Sequence, residues 1–250
     1  MIRNINEREA ERFAALCLEE ESFSDIERSS INIYNEKKLH KILKATLCEK
    51  KVCFEVSVGR YIADILDDDR IIEVQCASLY PLISKVSYYL ENTDFDVTVV
   101  HPIIVNKTII RADKETGELI RSRRSSKKEN EWSVLPEMRY LCDFVSSPRF
   151  HLRLMMIEAD EYRFSERVRY RRTGAFDKEL CPRALLGSMD FNTLSDYACF
   201  LPDADLFDAA EYSKFSKIKG RKLYLALNFL CDAGFLEKKK EGKKNIYSKK

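Results

Sequence analysis

The residues best placed to do chemistry lie in YIADILDDDRIIEVQ, residues 61–75. Asp64 stands three residues before the acidic turn Asp67-Asp68-Asp69, and Glu73 stands inside the apolar run that follows it. Two β-prone runs joined by a short acidic turn predict a hairpin, so the two carboxylates are expected to converge from adjacent strands. Paired carboxylates form an oxygen site for a hard divalent cation such as Mg2+, with Mn2+ able to substitute, and the Val74 carbonyl can add a neutral ligand. A cation held there polarises a scissile phosphate and lowers the pKa of an attacking water. Gln75, two residues after Glu73, is expected on the same face of its strand. The plainer alternative is that the three aspartates are only a turn and Glu73 is an exposed residue of a half-solvated sheet. The alternation permits both.

The elements that must position these residues can be read on either side of them. Residues 7–20 carry Ala10, Phe13, Ala14 and Cys17 near helical spacing, and residues 35–48 place Leu39, Ile42, Leu43 and Leu47 on one face. Val52, Phe54, Val56 and Val58 alternate with Cys53, Glu55 and Ser57, and Gly59 stops the run, which is a strand pattern. A helix over about 78–91 and an apolar strand over 96–105 come after the hairpin. This order predicts an α/β fold with a mixed sheet, residues 70–105 forming a strand–helix–strand unit. Further on come a turn at 114–117, a basic stretch with Arg121, Arg123, Arg124, Lys127 and Lys128, a helix over 131–145 and a strand over 151–158. Residues 159–190 read as irregular, with Arg167, Arg169, Arg171 and Arg172 near their start.

The stretch from Val58 to Gln75 resembles the core of the PD-(D/E)xK nuclease superfamily, the restriction-endonuclease-like fold. Asp64 matches the aspartate on one strand of that core's hairpin, and Glu73-Val74-Gln75 matches the (E/D)xK triplet on the next. The helix at 78–91 and the strand at 96–105 are similar to the next two elements of that core, so the resemblance covers about residues 35–105, with elaborations to about 158. It implies that Asp64 and Glu73 hold Mg2+ and that Gln75 positions or activates water. It also implies an acidic residue from the preceding helix, with Glu36 and Glu49 as the candidates. Ala63 stands where the motif has Pro, and Gln75 stands where Lys is usual. A neutral amide supplies neither a positive charge nor a strong base. Nearby, Lys85 reads as a solvated lysine on a helix surface, His40 as a packing or capping residue, and His101 as a strand residue near the sheet edge.

The formal net charge is +2, but from Tyr212 to Lys250 there are 12 Lys or Arg against 3 Asp or Glu. A basic field of this kind points to a polyanionic partner, with a solubilising tail as the alternative. From residue 191 the pattern becomes a short helix over 206–214, a turn over 216–220, a helix over 221–233 ended by Gly234, and a two-stranded hairpin around Glu241-Gly242. That is the order of a winged helix, whose second helix is available to a major groove. Lys217, Lys219, Arg221 and Lys222 gather at the start of that helix, and Lys240 and Lys243 lie on the wing, as nucleic acid-binding candidates.

The expected organisation is a restriction-endonuclease-like domain with N-terminal helices over 1–190 and a winged-helix DNA-binding domain over 191–250. The expected function is a Mg2+-dependent endonuclease acting on double-stranded DNA in restriction, phage defence or repair, where a homodimer would let two sites cut two strands. Gln75 favours a competing reading, a DNA-binding regulator or adaptor with a weak or inactive site. A third is a winged helix that touches other proteins. The eight cysteines form no CxxC pair and the three histidines are far apart, so neither a thiolate zinc site nor a His-rich metal site is expected. No run reaches the roughly 18 apolar residues of a membrane span. The first residues lack the apolar core of a secretion signal. A reducing, cytoplasmic location without a membrane partner is therefore expected.

Overall fold

Alternating apolar residues around two tight turns build the first part of the sheet. β1 (Phe54–Val58), β2 (Tyr61–Asp67) and β3 (Arg70–Val74) form an antiparallel meander in the computed structural model, which describes residues 5–24, 31–113, 116, 118–165, 177–242 and 244–250. The predicted hairpin forms, with Ile65 opposite Ile72 and Asp67 opposite Arg70. Asp68 turns the corner at φ +55, a conformation aspartate tolerates. Gly59 opens the β1–β2 turn at φ +58, where a Cβ would run into the Tyr88 ring.

After β3 the chain crosses through α3 (Ile83–Asn92) and returns as β4 (Asp96–Asp113), parallel to β3 with Glu73 opposite Val99. β5 (Leu119–Arg124) folds back on the second half of β4. On its other side β4 pairs with the parallel β6 (Phe150–Ser165), and β7 (Asp177–Phe191) runs antiparallel to β6. The order is β1-β2-β3-β4-β6-β7, with β5 on β4. The chain thus forms the expected mixed sheet of an α/β protein, flanked by helices.

The two faces carry separate cores. α1 (Glu7–Ser24) and α2 (Ile31–Leu47) bury Phe13, Cys17, Leu39, Ile42 and Leu43 in one cluster with Ile72, Val74, Val100 and Met155. On the other face Leu82, Val86 and Tyr89 pack with Ile71, Val97, Val99 and Leu154, joined by Leu135 and Met138 of the short α4 (Leu135–Met138). β3 is covered on both faces, which is why it reads as almost continuously apolar. Beyond a 3₁₀ run at Leu194–Phe200 come β8 (Leu206–Asp208), α5 (Ala209–Ser216), α6 (Arg221–Asp232), β9 (Leu236–Glu241) and β10 (Lys244–Lys249). Their strands pair in the order β8-β10-β9. Phe207, Tyr212, Leu223, Leu227, Leu230 and Tyr247 belong to the same buried cluster as Val99 and Leu154. The apolar core therefore does not divide at residue 191.

Several sequence expectations need correction. Residues 159–190 are largely strand where described, because β6 continues alongside β4 to Ser165 and β7 then pairs back along β6. The arginines at 167–172 lie outside the described residues. Residues 131–145 form a 3₁₀ turn, the four-residue α4 and another 3₁₀ turn, not one helix; Pro136, without an N–H, sits in the first turn of α4. Residues 206–208 are strand, and the helix begins only after Asp208, whose carboxylate accepts from the N–H groups of Ala210 and Glu211. Val52 precedes β1 in a 3₁₀ turn and is 84% exposed.

Candidate active site

The last residue pair described between β2 and β3 is Ile65 with Ile72. One step further along, the Asp64 side chain takes the place of a backbone partner, accepting the Val74 N–H at 2.8 Å through Oδ2. Ala63 lies in the α3-side core and Ile65 in the α2-side core. On a regular strand, residues two apart share a face, so β2 changes faces at Asp64. The register sets Glu55 of β1 opposite this point, and Glu55 has φ +53, so the backbone of both strands departs from regular geometry here without a shift in register.

The change of face brings Asp64 within reach of α2. His40 Nε2 donates to Oδ2 at 3.1 Å, and Lys44 Nζ lies 4.0 Å from Oδ1 while pairing with Glu55. Burial pushes the Asp64 carboxyl up, but the His40 and Val74 hydrogen bonds outweigh it and hold the group below its ordinary value. Glu73, only 1% exposed, faces α3. Its Oε2 accepts from the Lys85 ammonium at 2.7 Å and its Oε1 from the Tyr89 hydroxyl at 3.2 Å. Burial raises its pKa to about 7; the Lys85 charge opposes the rise and the Asp64 carboxylate adds to it.

Each carboxylate thus feels the other, yet their environments push them apart, a feature common at functional sites. Asp64 is ionised near neutrality, while Glu73 would gain from a cation that favours its charged form. Asp64 turns to α2 and Glu73 to α3, helices on opposite faces of the sheet, so the two carboxylates neighbour each other across the gap between β2 and β3 and do not share one face. The donor type, hard carboxylate oxygen, is the one magnesium takes. Val74, the remaining expected ligand, is paired with Val100 in the β3–β4 ladder.

Gln75 turns elsewhere. Its Nε2 donates to the Ser78 carbonyl at 2.7 Å, and its own carbonyl accepts from His101 Nδ1 at 2.6 Å. Lys85 is not a solvated lysine: its side chain is 22% exposed and engaged with Glu73. A signal for it was present, since Lys85 falls within the apolar stripe of Leu82, Val86 and Tyr89. His40 and Lys44, one turn apart, likewise fall among Leu39, Leu43 and Leu47. His101 is buried on the interior strand β4, not near an edge, and burial lowers its pKa. Glu49 pairs with Arg12 at 2.6 Å. The Glu36 side chain lies outside the described residues.

α3 is fixed at both ends. Glu137 accepts from the Ser78 hydroxyl at 2.8 Å and the Leu79 N–H at 3.2 Å just before the helix. Arg149 donates to the carbonyls of Leu90, Thr93 and Phe95 at its end. A negative charge at the start and a positive one at the end suit the helix dipole. Beside the C-terminal end of β3 lies an open cleft of about 420 Å³, lined by Leu39, Ser78, His101, Glu137 and, from α6, Lys222. Lys217, Lys219, Arg221 and Lys240 are exposed, Lys217 ending α5 in the left-handed conformation at φ +62. Lys243 lies outside the described residues.

Fold and site together define a mixed α/β protein with a carboxylate pair set between its second and third strands. The chain belongs to the family described as "Domain of unknown function (DUF8091)", whose model matches residues 37–191, from α2 to the end of β7. No curated protein and no solved structure matches it. Among the described residues, no helix is long and apolar enough to cross a membrane.

Proposed function

We propose that this protein is a magnesium-dependent DNA endonuclease of the PD-(D/E)xK kind, with residues 191–250 acting as a winged helix that grips double-stranded DNA. The observation that carries the reading is the placement of Asp64 and Glu73 where β2 and β3 part, the first on the Val74 N–H and the second against Lys85. Asp64, Glu73 and the Val74 carbonyl would hold Mg2+, or Mn2+ in its place. Once bound, the ion supplies charge neutralisation at the scissile phosphate and a more acidic water. His40 holds the Asp64 carboxylate in place. Lys85 supplies the positive charge that Gln75 lacks and can orient water or neutralise a phosphate oxygen. Gln75 instead secures the turn into α3 through Ser78.

The order β8, α5, α6, β9, β10 supports the winged-helix reading. Lys217, Lys219, Arg221 and Lys240 would meet phosphates, which position a duplex without reading its sequence. Lys222 lines the cleft between α6 and the end of β3. Restriction, phage defence and repair are settings that suit the pairing, and a homodimer would deliver two cuts.

The second reading, a DNA-binding regulator with a silent site, is favoured by the Gln75 amide, which is committed to Ser78. Incubating plasmid and linear duplex with Mg2+ or Mn2+ separates the two. The nuclease reading expects cleavage by the full chain, lost in Asp64→Ala and in Glu73→Gln while circular dichroism stays unchanged. Tight duplex binding with no cleavage under either ion would leave the regulator.

A further inference from the structure

We propose a second cation site, for a thiophilic divalent ion such as Zn2+, formed by Cys48, Cys53 and Asp67. Cys48 follows the last turn of α2, Cys53 ends the 3₁₀ turn before β1, and Asp67 closes β2 at the acidic turn. Three separate elements thus deliver two thiols and a carboxylate to one point, with the ligand atoms all within 4.8 Å of one another. Ligands about 2.3 Å from a tetrahedral centre stand roughly 3.8 Å apart, so only a small closure is needed. Cys53 Sγ already lies 3.7 Å from Asp67 Oδ1.

Charge and access favour the same reading. Two thiolates and a carboxylate carry three negative charges. A divalent ion and the Lys50 ammonium, 3.2 Å from Asp67 Oδ1, together balance them. Sulfur ligands select a soft ion over magnesium. Cys48, Lys50 and Asp67 line an open cleft of about 800 Å³, from which water can reach a fourth position. The thiols escaped the sequence reading because four residues separate them and the third ligand comes from another strand. Once bound, the ion would pin the end of α2, which carries His40 and Lys44, to the hairpin that carries Asp64 and Glu73.

Cobalt(II) is the probe, added to full-length protein that has been reduced and stripped of metal. The expected result is a thiolate-to-cobalt charge-transfer band that saturates at one equivalent and is displaced by Zn2+. Cobalt at the Asp64–Glu73 pair has only oxygen ligands and gives no such band, so the outcome does not depend on nuclease activity. Cys48→Ala and Cys53→Ala should each abolish the band, and Asp67→Asn should weaken uptake. Absence of the band in the wild-type chain overturns the site even if the cysteine variants fail to fold. A band unchanged in both cysteine variants also overturns it. So does a chain that shows no thiolate-to-cobalt band but loses two thiols to diamide only while Cys48 and Cys53 are both present, which would assign those two to a disulfide.

Discussion

In the proposed nuclease, Lys85 and Gln75 would divide between them what one lysine of the triplet does. Lys85→Met leaves the buried Glu73 without its cation, whereas Gln75→Ala removes one hydrogen bond to an exposed turn. Lys85→Met should therefore lower the cleavage rate far more, by about 100-fold or more if the ammonium faces developing charge; single-turnover assays on one duplex rank the two. Glu73 also makes a pH prediction. An acid whose pKa in the fold exceeds its unfolded value favours the fold when protonated. Its contribution is full below pH 4.5 and is lost as pH rises through about 7. That difference corresponds to about 3 kcal/mol. In urea melts with chelator present, stability should fall over that window, and Glu73→Gln should flatten the slope. Asp64 and Glu73 were legible because carboxylates beside a tight turn interrupt apolar runs. Their partners were only half legible: Lys85, His40 and Lys44 stand inside apolar helix stripes, but a stripe shows which carboxylate each meets only after packing.

The β1–β2 turn and α3 act as one unit, since Gly59 approaches the Tyr88 ring and Tyr61 packs edge-on against Tyr88 and Tyr89. Gly59→Ala meets both the left-handed backbone and that ring. It should destabilise the fold by more than about 1 kcal/mol, seen as a lower thermal midpoint. Asp208→Ala removes the cap of α5 and should cost about 1 kcal/mol in the same assay. Elements with strong local pattern could be read directly: the hairpin, the start of β4, and α6 with its stop at Gly234. β7 could not. It holds Pro182 and Gly187 and shifts register twice against β6, so pairing rather than alternation makes it a strand. An end strand on this sheet tolerates the missing N–H of a proline.

At the scale of the whole molecule, the shared core makes residues 191–250 a poor candidate for removal. A chain ending at Asp190 would leave Val99, Leu154 and their neighbours without the aromatic residues that complete the cluster. The full chain is expected to melt in one transition by both circular dichroism and Trp132 fluorescence. Charge removal tests the DNA grip instead. Lys219→Ala with Arg221→Ala should weaken binding on all duplexes alike and reduce the salt slope by about 0.9 for each phosphate no longer neutralised, measured by anisotropy at several salt concentrations. If residues 191–250 grip DNA as proposed, the unbroken core would make the protein a ruler. With α6 packed on the same apolar mass that backs Glu73, the span from grip to carboxylates is set by side-chain packing, not by a tether. Cuts should then fall at one constant offset from the bound segment, as a single band at nucleotide resolution when the duplex offers one preferred place to bind.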